Sequence, residues 1–332
     1  MPKKKLQEVK SEETNQSFSG LKEKARAFRK HLNTQYQESV AYVPDAETVE
    51  RVSVSSWIEM PEAFQTAVGI PGLPIGNITH VYGKPDTGKT TLLMEGIAQA
   101  QKQDILPILI LTEHKFDFSR LDEWMGADSE AMVVLHADNI EQAYSFMDKI
   151  LKDLATGKLV IEDEEGNDIV IDMSDQKCFI FMDSIGNTLS ETELDYEVEE
   201  WDKSMGKHAK ALRSLTKRLN LRLSKKGVRD KCGILLLNQS YQSMPSYGPS
   251  VETPYGGDGV PYSCVLNIRL RRKRDIKMTQ KGVDTVVGLE TTVEVKKNHI
   301  SHKKPVSTVY TVASGMIPVT KEALDRYKKS IR

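Results

Sequence analysis

Residues 78 to 91 read Ile78-Thr79-His80-Val81-Tyr82-Gly83-Lys84-Pro85-Asp86-Thr87-Gly88-Lys89-Thr90-Thr91, and this stretch decides the fold. From Gly83 to Thr90 it satisfies the pattern G-x-x-x-x-G-K-[ST] completely. An apolar strand, Ile78 to Val81, leads into it, and a helical pattern from Thr91 to Ala100 leads out, which is the context the pattern needs. Glycines let backbone N–H groups curl around phosphate oxygens, and the helix amino terminus adds the positive end of its dipole. Gly83, Lys84, Pro85, Asp86, Thr87, Gly88, Lys89, Thr90 and Thr91 are therefore the candidate nucleotide-binding residues. Lys89 is placed to meet the β- and γ-phosphates of ATP, and the Thr90 hydroxyl to ligate Mg2+.

Outward from this loop, short apolar runs alternate with longer helical stretches. The runs are Asn77–Val81, Ile105–Leu111, Met132–Leu135, Cys178–Met182, Gly233–Leu237, Val265–Leu270, Thr291–Val295 and Thr308–Val312. Helical patterns cover Thr90–Lys102, Ile140–Ala155 and Lys203–Lys226. The alternation predicts an α/β fold, a mostly parallel central sheet with helices on both faces. The last runs come one after another without helices, which predicts antiparallel strands at the end. Lys158 to Asp172 reads as two short strands around a polar turn, a surface hairpin.

In an open parallel sheet, ligands sit beyond the carboxyl ends of the strands. Three runs end there in polar residues: Glu113, Asp183 and Asn238-Gln239. Asp183, after four apolar residues, suits the acid that orients Mg2+ through water. Glu113 is placed to polarise the attacking water, and Gln239 to hydrogen-bond the γ-phosphate and report its presence.

Composition narrows the function classes. The 332 residues carry 46 Lys+Arg against 47 Asp+Glu, with 39% hydrophobic and 28% charged residues, an ordinary globular balance. The longest apolar stretch, Ile105–Leu111, is far short of the ~20 residues a membrane helix needs. The basic amino terminus lacks the apolar block of a secretory signal, so a cytoplasmic protein with no membrane partner is expected. Cys178, Cys232 and Cys264 sit beside apolar residues without a C-x-x-C or clustered histidines, which predicts buried free thiols. Near-zero net charge excludes nothing about nucleic acid, because distribution matters more than the sum. Three regions are expected. Residues 1–49 hold a polar tail and an amphipathic helix, whose stripe of Phe18, Leu21, Ala25, Phe28 and Leu32 either lies on its own domain or docks on a neighbouring subunit. Residues 50–318 form the core, and 319–332 a basic carboxyl-terminal tail.

At these residues the chain resembles the RecA family of homologous recombinases. The likeness begins at Val54-Ser-Ser-Trp-Ile-Glu-Met-Pro-Glu-Ala-Phe-Gln-Thr-Ala-Val68 and Gly72-Leu-Pro-Ile-Gly76. It continues through Thr112-Glu113-His114, Met182-Asp183-Ser184, Met205-Gly206, Asn238-Gln239, Gly256-Gly257 and Val295-Lys-Lys-Asn298. Compact size fits a divergent relative, of the kind phages encode. The resemblance implies a DNA-dependent ATPase that forms helical filaments on single-stranded DNA and pairs it with homologous double-stranded DNA, with single-strand-binding and mediator proteins as further partners. The same core also serves hexameric ring helicases, and a nucleotide-binding mediator is a third reading.

The resemblance further implies two DNA-binding loops. The first spans about Ser190–Lys203 and ends at Met205-Gly206; the second is Ser240–Gly257, rich in Gly, Pro, Ser and Tyr. That composition predicts either a loop that orders on a ligand or a disordered connection; as the DNA-binding loop the resemblance implies, it would contact DNA through backbone amides and through Tyr241, Met244 or Tyr247, with Gly256 and Gly257 closing it. Phosphate charge must then be met elsewhere, by Lys210, Arg213 and Lys217 on one helical face. The run Arg269 to Arg274 reads equally as a second strand-binding region or a solvated strand end. Lys297 and His299 occupy the positions where the family sets two lysines against a neighbour's γ-phosphate, and strand alternation would put both on one face. An imidazole titrates near ~6.5, so His299 is often neutral where lysine is not. Only 14 residues follow Pro318, so the family's separate carboxyl-terminal domain is expected to be absent or reduced to a tail.

Overall fold

The structure is a computed structural model. It describes residues 19–36, 54, 56–113, 115–162, 168–186, 188–194, 207–243, 250–280 and 282–331. Two units separate, Met1–Ser55 and Ser56–Arg332. The first holds helix α1 (Ser19–Tyr36), on which Phe28 is 65% exposed.

In the second unit, β1 (Trp57–Glu59) pairs antiparallel with β2 (Gly72–Pro74) across helix α2 (Glu62–Val68). β3 (Ile78–Gly83) then enters the glycine-rich loop, and α3 (Lys89–Lys102) leaves it. β4 (Ile105–Leu111), α4 (Phe118–Met125), β5 (Val133–His136) and α5 (Ile140–Thr156) come after it. The side chains of Asp117 and Asn139 accept backbone N–H groups from Arg120 and Gln142, which starts α4 and α5; left-handed Gly126 and Gly157 end them. β6 (Lys158–Glu162) and β7 (Asp168–Asp172) form the surface hairpin as a separate two-stranded sheet. β8 (Lys177–Asp183), the short α6 (Glu191–Leu194), α7 (Lys207–Leu223), β9 (Cys232–Ser243), β10 (Val251–Pro254) and α8 (Gly259–Ser263) come next. β11 (Leu266–Gln280), β12 (Val283–Asn298), β13 (Val306–Val312), β14 (Gly315–Ile317) and α9 (Lys321–Ser330) complete the chain.

The central sheet runs β14-β13-β12-β11-β3-β9-β8-β4-β5. From β11 to β5 every pairing is parallel; from β11 to β14 every pairing is antiparallel. Both faces of the parallel part are covered. Phe179 and Phe181 pack with α3 in one apolar layer, and Ile180 and Met182 pack with α5 and α7 in the other, so β8 is apolar at every inner position. Cys178, Cys232 and Cys264 are all free and buried. Among the described residues no helix is long and apolar enough to cross a membrane.

Three expectations need correction. β11 and β12 extend well beyond the runs Val265–Leu270 and Thr291–Val295, because a hairpin closed at Gly282 carries pairing out to Gln280 and Val283. The second loop is not structureless: Ser240–Ser243 pair antiparallel with Val251–Pro254, and the Tyr241 and Tyr255 rings meet at 5.1 Å. Backbone pairing and ring packing together order its two arms, 240–243 and 251–255, where composition alone predicts none. The basic tail contains α9, whose buried Tyr327 accepts from Ala313 N–H and donates to Val287 O at 2.8 Å.

Candidate functional site

The loop at the end of β3 is shaped by its backbone. Gly88 takes φ +93°, and a Cβ there would lie 2.7 Å from Thr311 Cγ2; Asp86 is also left-handed, at φ 55°, a conformation that aspartate tolerates. Lys89 Nζ donates to Gly83 O at 2.9 Å and Lys84 O at 2.7 Å. Burial holds its ammonium below the ordinary lysine value, against the carboxylates of Asp183, Asp86, Glu113 and Glu252, which favour the charge. Thr90 Oγ1 donates to Asp183 Oδ2 at 3.0 Å. Burial pushes the Asp183 carboxyl up, and Glu113 adds to this, while Thr90 and Lys89 oppose it.

These groups share one cavity of about 240 Å3 with the other strand ends: Pro85, Asp86, Lys89 and Thr90 face Glu113, Asp183, Ser184 and Gln239 across it. Lys115 and Phe116 also line it, and the sequence reading missed both. Two candidates point elsewhere. Thr87 is buried and its hydroxyl donates to Lys84 O, and the Thr91 hydroxyl accepts from Arg120 Nη2 at 2.8 Å. Arg120 also donates to Val312 O and Ala313 O, tying α4 to the helix after the loop. No sequence spacing could reveal that link, because its partners lie 29 to 193 residues away. The hydroxyl and carboxylate oxygens at 3.0 Å beside a phosphate loop are hard donors and fit Mg2+, whose remaining ligands come from phosphates and water.

Lys297 and His299 do not line this cavity. Lys297 opposes Asn267, which pairs with His80 near the start of β3, whereas the phosphate loop lies past the far end of that strand. Its Nζ donates to Pro261 O and Tyr262 O. The expected alternation fails at His299: β12 stops at Asn298, and His299 lies exposed in the next turn. Burial, then Lys297, His302 and Lys304, hold its imidazole below 6.5.

A second cleft, about 630 Å3, opens between the region after β8 and the hairpin of β9 and β10. Gly186, Thr188, Glu193, His208, Tyr241, Tyr255, Gly256 and Gly257 are among its lining residues. Lys210, Arg213 and Lys217 are exposed on α7 but outside this lining. Met205, Gly206, Met244 and Tyr247 lie outside the described residues. The run Arg269 to Arg274 is neither a strand end nor free. Arg269 and Arg271 pair with Glu294, Arg272 with Asp275, and Lys273 and Arg274 with the buried Glu290.

A strand–loop–helix phosphate cradle facing acidic and amide strand ends defines a P-loop nucleotide-binding α/β protein. The family model for the RecA N-terminal domain matches residues 28–313, and the chain belongs to that family. Relatives include Protein RecA of Cytophaga hutchinsonii and of Ruegeria pomeroyi, each 28% identical over 71% of this chain and 58% of theirs. Protein RecA of Chlorobium chlorochromatii is 28% identical over 76% of this chain and 62% of its own. The chain thus spans about three fifths of the length of the relatives it matches.

Proposed function

We propose that this chain is an ATP-dependent recombinase core that assembles on single-stranded DNA and promotes homologous pairing and strand exchange. One observation carries the reading. Gln239 lines the nucleotide cavity and lies within β9, which runs on unbroken to Tyr241 and the second cleft. A γ-phosphate engaging Gln239 therefore acts on the same strand that presents the hairpin to DNA. Ser240 Oγ donates to Glu252 Oε1 at 2.6 Å, so movement of one arm passes to the other.

Within the cavity, the loop's N–H groups and Lys89 hold the phosphates, and Lys89 exchanges its bonds to Gly83 O and Lys84 O for phosphate oxygens. Mg2+, held by Thr90 and by Asp183 through water, would supply charge neutralisation at the phosphates when bound. Glu113 takes a proton from the attacking water. The exposed Lys210, Arg213 and Lys217 neutralise DNA phosphates, and Tyr241 with the backbone at Gly256 and Gly257 meets bases. Hydrolysis resets the assembly.

The test is equilibrium binding of a fluorescent single-stranded oligonucleotide with a slowly hydrolysed ATP analogue, with ADP and without nucleotide. Binding at least about tenfold tighter with the analogue is expected, a coupling typical of linked sites. Affinity indifferent to nucleotide overturns the reading. Glu113→Gln should keep nucleotide affinity and lose turnover by roughly a hundredfold or more.

A further inference from the structure

One side chain stitches together the ends of β4 and β8. Thr112, between Leu111 and Glu113, donates its backbone N–H to Asp183 O at 3.1 Å. Its hydroxyl donates to Ser184 O at 2.9 Å and accepts the Ser184 N–H at 3.1 Å. Ser184 O also accepts from the buried Thr188 hydroxyl at 2.7 Å. The main chain of Ser184 is thus gripped at both its N–H and its C=O. Its side chain is in the opposite situation. Ser184 is 2% exposed, and Oγ has no hydrogen-bond partner among the described residues, yet the residue lines the nucleotide cavity beside Asp183, Glu113 and Gln239.

A buried hydroxyl without a partner is costly, and native folds leave few of them. At the wall of a polar cavity, the partner that satisfies it can arrive with the ligand. The clamp fixes the main chain that carries that hydroxyl, and the same threonine directly precedes Glu113, which lines the cavity with Asp183. We propose that Ser184 Oγ is a further substrate-contacting group, hydrogen-bonding the water between Glu113 and the nucleotide, and that Thr112 is the positioning residue that aims it. This role rests on the nucleotide-hydrolysing function proposed for the cavity.

The test uses the full chain with Thr112→Val, which keeps shape and removes the hydroxyl, Thr112→Ser, which restores it, Ser184→Ala, and the Val/Ala double variant. Steady-state ATP hydrolysis gives kcat and KM, and equilibrium titration with a non-hydrolysable ATP analogue gives affinity. Thr112→Val should lose about tenfold or more in kcat with analogue affinity held within about twofold, and Thr112→Ser should recover at least roughly half of kcat. Ser184→Ala should lose several-fold, and the double variant should be no slower than Thr112→Val, because both changes remove one contact to the same water. A general loosening of the fold would lower affinity as well and would not spare the double variant. Wild-type kcat in both single variants, or losses that multiply in the double, overturns the proposal. If Thr112→Val does not fold, Ser184→Ala decides alone, since it leaves the main-chain clamp intact. A wild-type chain that binds the analogue but never hydrolyses ATP removes the hydrolysis reading together with this proposal, an outcome distinct from variants that match an active wild type.

Discussion

Glu95 is a carboxylic acid inside the helix that leaves the phosphate loop. It is 4% exposed, accepts Met316 N–H at 3.1 Å, and leaves its other oxygen without a partner among the described residues. Burial pushes its carboxyl up to about 8, with the Met316 bond and Lys102 pulling back only in part. In the unfolded chain the group ionises near 4.5, so between there and about 8 the folded state holds the extra proton. Stability then falls as pH rises through that window, by up to ~1.4 kcal/mol per pH unit, and this contribution is gone above it. Glu95→Gln keeps an acceptor and abolishes the titration. Its melting temperature should stay flat between about pH 5 and 8 where that of the wild type declines; parallel declines would exonerate Glu95. His299 behaves in the opposite sense. With its imidazole held below 6.5, it is neutral at physiological pH and gains charge only in acid. If it serves a neighbour's γ-phosphate, ATP turnover by the assembled protein rises as pH falls below ~6.5, and His299→Lys removes that rise. A pH profile unaltered by the substitution takes His299 out of the site. Neither burial nor charged neighbours at such separations can be read from spacing, which is why the sequence marks Glu113, Asp183 and Gln239, gives Ser184 no role of its own beside Asp183, and is silent on Glu95 and Arg120.

At the scale of elements, the legible parts are those set by short-range pattern. The run Phe179–Met182 shows a strand buried on both sides, and the glycines with Lys89 and Thr90 show the loop and the helix behind it. Pairing distance governs the rest. Arg274 meets Glu290 across a hairpin whose register shifts between Arg272 and Arg274, and a one-residue slip would exchange the faces of every side chain beyond it. No count along the chain fixes that register, so the row of basic residues looks like a free patch when each of its five cations is paired with Asp275, Glu290 or Glu294. On α7 the reading is simpler. Arg218 and Arg222 pair with Asp148, whereas Lys210, Arg213 and Lys217 are exposed, with no ion pair among the described residues. Each of these three, replaced by alanine, should weaken oligonucleotide binding whatever its sequence and reduce the slope of log affinity against log salt by about one. A slope unchanged in the triple variant would move the phosphate contacts to another surface.

At the scale of the molecule, the parallel sheet separates two kinds of chemistry by its ends. The phosphate loop, Glu113, Asp183 and Gln239 all stand at the carboxyl ends of parallel strands. Lys297 lies toward the other end, level with His80, its ammonium bound to carbonyls of α8. A rigid sheet cannot bring that lysine round to its own chain's nucleotide, so a role for it in hydrolysis requires a neighbour, with one face of each copy meeting a different face of the next. Such head-to-tail contacts build rings or open helices, and both give mixed assemblies a countable signature. Lys89→Ala and Lys297→Ala should each be almost inactive alone. In an equal mixture, a junction regains both lysines when the Lys297→Ala chain supplies the loop and the Lys89→Ala chain supplies Lys297, which happens at about a quarter of junctions under random assembly. Turnover measured on DNA should therefore recover toward that fraction of wild type. A mixture as inactive as its two components would place Lys297 outside the reacting site, whereas full activity of Lys297→Ala by itself would show that each copy completes its site unaided.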